Sequence, residues 1–315
     1  MFTTSLGQII YVPMTRNSIY YGTGRIEKFQ RFTCYIDIAD IQNSCFAQTI
    51  NTFFGLLTQH VSNRVGQDSL NLFDFFEENE KYIYDLYQNY QALDSCLESI
   101  ELGINFISTY SEMDYMQPCF VPFDKYAAYH CDVIYHKIST IHDVFLKLIN
   151  AVYNLGLQND RCKYSEIEKH KSDIDNDDLF ELIDVFYKLT KKINDQRNSS
   201  SHDGKLKIPT LTDISAYLLL CEIKEKHPHF YSQDKRYERN SLQYNSQIIN
   251  AKDKILKELS VHRYNVFCIT RCMLCSLYDK LLYTISTKCP VVHKVYEEQI
   301  NKERNNCSEP CAIPD

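Results

Sequence analysis

The sequence predicts a mostly all-α fold, in which a four-helix bundle follows a helical N-terminal extension that leaves room for a short β-hairpin. Three observations predict it. The chain of 315 residues contains only 8 glycines and 8 prolines, which is few for a protein built from tight turns. Apolar residues recur at steps of three and four along several long stretches, which is helical spacing. The apolar content of 44% is ordinary for a globular protein and argues against general disorder.

The N-terminal extension is assigned to residues 1–120, and its role is not indicated by the sequence. Residues 9–12 and 32–38 are candidate short strands of a hairpin. Helical spacing begins at Phe46 and is longest and clearest between residues 75 and 110. The apolar positions of that second stretch are Ile83, Leu86, Tyr90, Leu93, Leu97, Ile100, Ile104 and Ile107. We expect a long helix here that packs within a bundle.

The bundle is assigned to residues 121–290. An approximate domain boundary is predicted within the proline-containing connection 112–124. Helical patterns within it cover residues 134–155, 179–193, 212–226 and 246–287. A kink is expected in the last pattern near residue 260, and its second half is apolar on all sides, which is typical of an enclosed helix. Asp177 or Asp178 is expected to cap the second helix. The charged tail, 291–315, is expected to be loose.

Charge restricts the classes of partner. The formal net charge of −7 opposes indiscriminate nucleic-acid binding, so contact with RNA requires a local basic patch. Between residues 188 and 207 there are six basic residues against two acidic ones. Lys191, Lys192 and Lys205 are therefore candidate RNA-binding residues. A second interpretation is equally open, in which the charges serve the helix alone. Acidic residues in the first half of a helix and basic residues in its second half are favoured by the helix dipole.

Cysteine usage and hydropathy indicate a cytoplasmic protein without membrane contact. The chain has thirteen cysteines, and residues 1–13 contain neither a basic segment nor a long apolar core of the kind found in signal peptides. No stretch of 18 residues is apolar and uncharged enough to span a membrane. Cys272 and Cys275 form a lone CxxC on one helical face with Cys268. Small buried side chains explain them better than a zinc site, so we expect no metal and no cofactor.

The segment Arg197-Asn198-Ser199-Ser200-Ser201-His202 ends the second helical pattern. Arg197 falls on the apolar line of that helix, where a guanidinium needs acceptors or anions for its five donors. The serines and Gly204 are poor helix residues, so we expect the helix to fray here and His202 to fold back beside Arg197. A structural alternative pairs Arg197 with Asp195 or Asp143.

A second polar stripe lies on the helix 134–155. His136 and Asp143 are seven residues apart and therefore share one side of that helix. Two interpretations stay open. The stripe is a solvated face, or it faces the region of Arg197 and His202 or a dimer cleft.

An arginine, a polar residue, three more residues and a histidine, at the end of an amphipathic helix in an all-helical chain, resemble the motif of the HEPN superfamily. The resemblance covers roughly residues 125–287, within the C-terminal half. It implies a metal-independent endoribonuclease of the kind found in toxin–antitoxin or phage-defence systems. It also implies a homodimer in which two protomers contribute to one cleft, RNA as the substrate, and an antitoxin or defence protein as a further partner.

The resemblance also assigns roles. It implies that Arg197 holds the phosphate, that His202 is the acid or base, and that Asn198 orients the substrate or His202. Asp143 resembles, more loosely, an acidic residue of the first helix in one branch of the family, and His136 shares its stripe. The same superfamily contains non-catalytic members, so an RNA- or protein-binding module is the alternative function.

Overall fold

A computed structural model describes residues 36–66, 72–110, 121–203, 208–231 and 242–307. Every element in this part of the chain is helical, which confirms the predicted all-α class. The predicted strand 9–12 lies outside the described residues, as does most of the strand predicted at 32–38. None of the helices in the described ranges is long and apolar enough to cross a membrane.

Eleven α-helices are described. They are α1 Ile38–Gln42, α2 Cys45–Val65, α3 Glu78–Thr109, α4 Phe123–Tyr153, α5 Tyr164–Lys169, α6 Lys171–Ile174, α7 Asp177–Asp203, α8 Pro209–Lys226, α9 Pro228–Tyr231, α10 Leu242–Lys288 and α11 Pro290–Cys307. Short 3-10 turns occupy Leu72–Phe75 and Asn159–Arg161.

The described chain divides into two compact units. Unit 1 contains Ile36 with Ser95–His142 and Ile183–Ile269, and unit 2 contains Asp37–Asp94, Asp143–Leu182 and the residues from Thr270 onward. Each of α3, α4, α7 and α10 contributes one segment to each unit. The boundary predicted at 112–124 lies largely outside the described residues and stays a prediction.

Unit 1 has an apolar core built from α3, α4, α7, α8 and α10. Its fully buried side chains include Ile100, Ile134, Ile138, Phe186, Ile193, Leu259 and Phe267. Gly103 lets α3 and α4 approach closely, because a Cβ atom there would lie 2.7 Å from Cγ1 of Ile134. The buried Arg263 ties the core together, since it donates to Glu101 and to the Ile36 carbonyl and lies over the Phe267 ring.

Unit 2 shows that the C-terminal tail is not loose throughout. Pro290–Cys307 forms α11, which packs on α2. Val292 is buried, and the ring centroids of Phe53 and Tyr296 are 4.4 Å apart. The charge of the tail predicts a loose segment when the tail is considered alone. The apolar side chains that hold it belong to a helix about 240 residues earlier, so local sequence does not reveal them.

The start of α7 differs in detail from the prediction. Asn176, rather than Asp177 or Asp178, caps the helix, because its Oδ1 accepts a hydrogen bond from the Leu179 backbone N–H at 3.1 Å. Its amide nitrogen donates to the Ser276 hydroxyl at 3.0 Å, so the cap also fixes the helix to α10 within unit 2. The two aspartates occupy the first turn, where their charge suits the helix dipole.

Two other helices extend beyond their predicted ends. α8 begins at Pro209, three residues before the predicted start, because proline at the first position needs no intrahelical N–H bond. α10 is one uninterrupted helix of 47 residues with no break near residue 260. Its bounds, Leu242–Lys288, exceed the prediction by a few residues at the N-terminal end.

Candidate functional site

The helix α7 continues past Arg197 to Asp203 without fraying. The expectation that His202 folds back beside Arg197 on a broken helix is therefore wrong. On a continuous helix, positions five apart are separated by about 140° around the axis and by about 8–9 Å between Cα atoms. Serine costs only a fraction of a kcal/mol relative to a good helix former, so three serines are tolerated where neighbouring turns are packed. The side chains of residues 199–203 lie outside the described part of the chain.

Arg197 is partly buried, four residues after the buried Ile193. Its Nε atom is sealed from solvent and has no hydrogen-bond partner. No hydrogen bond or ion pair joins its guanidinium to the described residues of unit 1, including the exposed Asp195. Asp143 is exposed and belongs to unit 2. The guanidinium is thus positioned by packing rather than by a protein anion.

A side-chain hydrogen bond fixes α7 to α4 close to this arginine. The Ser139 hydroxyl donates to Oδ1 of Asn194, and Ser139 is buried. Nearer the start of α7, the ring of Phe186 lies 6.3 Å from that of His142, with an interplanar angle of 21°. Numbers fall along α4 as they rise along α7, so the two helices are antiparallel. We call this line of contact, between residues 123–142 and 183–203, the α4–α7 seam.

His136 lies at the same level of the α4–α7 seam as Arg197. His136 precedes Ser139 by three residues and Arg197 follows Asn194 by three, so both lie about 4.5 Å along the seam from the Ser139–Asn194 bond. The His136 side chain is 44% exposed, and its Nε2 is 4.0 Å from Oδ2 of Asp132. The seam therefore brings an accessible imidazole, with a carboxylate beside it, to the height of the arginine.

Two of the candidate RNA-binding lysines are described, and their surroundings differ. Lys191 is exposed. Lys192 donates to Oε1 of Glu258 at 3.0 Å, so its charge is largely compensated. Lys205 lies outside the described residues. The partner of Lys192 could not be predicted from local spacing, because Glu258 is 66 residues away on α10.

Glu258 is an unusual acid within unit 1. His262 Nε2, 3.8 Å from Oε1, and the ammonium of Lys192 hold the pKa of Glu258 at about 2, against the upward pull of burial. The thiol of the buried Cys131 lies near the same carboxylate, and burial raises the pKa of that thiol to about 12. Such a carboxylate stays ionised at neutral pH and cannot act as a general acid there.

A small cleft lies between α7 and α10 in unit 1, with a cavity volume of about 10 Å³. Its walls are Phe186, Leu189, Thr190, Ile193, His262, Asn265, Val266 and Ile269. That volume is about the space of a single water molecule, so the cleft is too small for a nucleotide. The candidate site is therefore the open α4–α7 seam rather than an enclosed pocket.

The cysteines of α10 differ in their exposure to solvent. Cys268 and Cys272 are buried, whereas Cys275 is exposed. In the described ranges no group of three or more His, Cys, Asp or Glu side chains is arranged to hold a metal ion.

One protein-family model matches a large part of this helical chain. The model described as HEPN_Cthe2314-like HEPN matches residues 80–265, more than half of the chain. The match begins inside α3 and takes in α4, α7 and α8, so the similarity is not confined to the C-terminal half. No curated protein and no solved structure matches the chain.

Proposed function

The chain belongs to the HEPN_Cthe2314-like HEPN family, and on that premise we propose that it is a metal-independent endoribonuclease acting through Arg197 and His202. The physiological setting we propose is a toxin or phage-defence effector in the cytoplasm, with an antitoxin or defence protein as a further partner. RNA is its substrate.

The observation that carries the proposal is the unsatisfied guanidinium of Arg197. Its Nε is buried without a hydrogen-bond acceptor, although an arginine donor removed from water normally finds one. Phosphate oxygens are the acceptors that best match the planar fork of a guanidinium. An RNA phosphate at the seam would bind the terminal nitrogens of the guanidinium, for which the described residues of unit 1 supply no acceptor.

The chemistry needs three contributions. The 2′-hydroxyl of the RNA attacks the adjacent phosphorus, the bond from phosphorus to the 5′-oxygen breaks, and a 2′,3′-cyclic phosphate and a 5′-hydroxyl result. One proton leaves the attacking hydroxyl and another reaches the leaving oxygen, and His202 serves one of these transfers. Arg197 stabilises the charge that builds on the phosphoryl oxygens. Asn198, one helical turn after the anchored Asn194, would orient the substrate.

His136 is the proposed second proton-transfer group. It lies at the level of Arg197, its side chain is 44% exposed, and its Nε2 is 4.0 Å from the carboxylate of Asp132. Lys191 and Lys205 would add non-specific attraction for the backbone, whereas Lys192 is engaged by Glu258. Asp143, on the same helix as His136, is a further proposed supporting residue.

We further propose a homodimer with a shared cleft. Positions 197 and 202 lie about 140° apart on the uninterrupted α7, so one protomer does not present both from one line of its helix. Two copies related by a two-fold axis would place Arg197 of one protomer near His202 of the other.

The test is incubation of end-labelled single-stranded RNA with the purified chain in EDTA. Cleavage that leaves 2′,3′-cyclic phosphate and 5′-hydroxyl ends is expected. The matched substrate carries 2′-deoxyribose throughout, and it should stay intact because it lacks the attacking hydroxyl. RNA that binds but is never cut would overturn the nuclease assignment in favour of the non-catalytic binding module.

A further inference from the structure

Two exposed tyrosines lie on the two helices of the α4–α7 seam. Tyr129 on α4 is 67% exposed and Tyr187 on α7 is 53% exposed. Each ring lies beside one histidine, with ring centroids 5.2 Å apart for Tyr129 and His130 and 6.1 Å apart for Tyr187 and His142. Most of each ring surface is therefore available to a partner.

Both tyrosines share a helix face with residues of the candidate site. Tyr129 precedes His136 by seven residues, and Tyr187 precedes Asn194 by seven, so each pair differs by only about 20° around its helix. Measured from the Ser139–Asn194 bond, Tyr129 lies about 15 Å along the seam in one direction and Tyr187 about 10 Å in the other. Arg197 lies between them, on the side of Tyr129.

The side chains between the two rings form hydrogen bonds and carry charge. Lys191, Asp195 and Asn198 are exposed, and Nε2 of His136 is 4.0 Å from the carboxylate of Asp132. The core of a protein–protein interface is depleted in such residues and richer in apolar ones. Exposed rings on a surface that also carries cations and amides are instead typical of proteins that hold a single-stranded nucleic acid.

We propose that Tyr129 and Tyr187 are base-stacking platforms at the two ends of the α4–α7 seam, on which the RNA of the proposed function binds as a single strand. Bases would rest on the two rings while the intervening backbone passes Arg197. A duplex would not bind this way, because its bases already stack on one another. The inference rests on the proposed function for the position of the phosphate.

The test measures binding without cleavage. A fluorescent single-stranded oligonucleotide with 2′-O-methyl ribose cannot undergo attack by the 2′-oxygen, so its dissociation constant reports binding alone. Tyr129→Ala and Tyr187→Ala should each weaken binding by roughly tenfold, since stacking on one aromatic ring carries that much affinity. Tyr129→Phe and Tyr187→Phe retain the ring and should stay within about twofold of the wild type by the same argument.

Two controls separate stacking from general effects. Tyr283→Ala removes a tyrosine that is 64% exposed on the part of α10 in unit 2, and it should leave binding unchanged. The matching duplex should bind more weakly, and none of the four tyrosine substitutions in the seam should alter its affinity.

Three outcomes would overturn the inference. In the first, the alanine variants bind the single strand as tightly as the wild type. In the second, the wild type does not bind the single strand. In the third, a dimer of the wild type becomes monomeric in the alanine variants, while the affinity for RNA per protomer is unchanged. The last result would assign the tyrosines to contact between copies of the chain. None of them decides the nuclease proposal, which depends on cleavage of natural RNA in EDTA.

Discussion

The hydroxyl of Ser139 donates a hydrogen bond to the side-chain oxygen of Asn194, and this bond fixes α4 against α7 one turn before Arg197. It converts two amphipathic helices into a seam with a defined register. The positions of His136, Arg197 and both exposed tyrosines along the seam follow from it.

Ser139→Ala should destabilise the protein by about 1–3 kcal/mol, because it leaves the partly buried amide oxygen of Asn194 without a donor. The free energy of unfolding in urea measures this. Thr140→Ala is the matched control: that hydroxyl is exposed and only donates to the His136 carbonyl of its own helix, so its loss should cost no more than about 0.5 kcal/mol. Equal effects of the two substitutions would mean that the Ser139–Asn194 bond does not hold the helices.

Arg197→Met should leave the free energy of unfolding within about 0.5 kcal/mol of the wild type. The substitution breaks no hydrogen bond or ion pair with the described residues of unit 1. Arg263→Met is the contrasting variant. It removes a buried arginine bonded to Glu101, and it should destabilise by about 3–5 kcal/mol. A large loss of stability in Arg197→Met would assign Arg197 to a structural network instead of a substrate.

Glu258 should make the protein sensitive to acid. Its pKa is about 2 in the folded state, below the ordinary value of 4.5, so it contributes stability that is fully present above pH 4.5 and is lost as the pH falls toward 2. Glu258→Gln should flatten the acid limb of stability against pH in this window. Asp253→Asn, at an exposed position of the same helix, should leave that limb in place, and a limb of the same steepness in Glu258→Gln would refute the assignment.

A shared cleft predicts complementation between two inactive variants. In a mixture of Arg197→Ala and His202→Ala protomers, half of the random dimers would contain one intact pair and one doubly defective pair. About a quarter of the wild-type activity should then return, by the symmetry of a two-fold dimer. The activity of the mixture against that of each variant alone measures it, and no recovery after exchange of subunits would place both residues of a working pair in one protomer.

The sequence was most informative where local spacing decides structure. The steps of three and four along residues 134–155 and 179–193 predicted the cores of α4 and α7, because the periodicity of a buried helical face is visible within one segment. The same reasoning identified the line on which Arg197 lies. The sequence could not show that Arg197 Nε is buried without a hydrogen-bond acceptor, because this depends on which side chains pack around it.

Local spacing was least informative where a distant residue decides. α11 forms because Val292 and Tyr296 find a partner surface on α2, and Lys192 is neutralised by Glu258 on α10. The fraying expected after Arg197 rested on intrinsic propensity alone, which is a weak guide within a packed helix. Tyr129 and Tyr187 were likewise not singled out, because exposure of a ring is a property of the fold.

The rate of cleavage of single-stranded RNA in EDTA by the wild type, Arg197→Ala and His202→Ala tests the central claim most directly. Each substitution should lower the rate by roughly a hundredfold or more, as expected for the loss of a phosphate-stabilising donor or a proton-transfer group. Lys188→Ala, at an exposed position of the same helix, should retain activity. Equal rates for all four proteins would contradict the account.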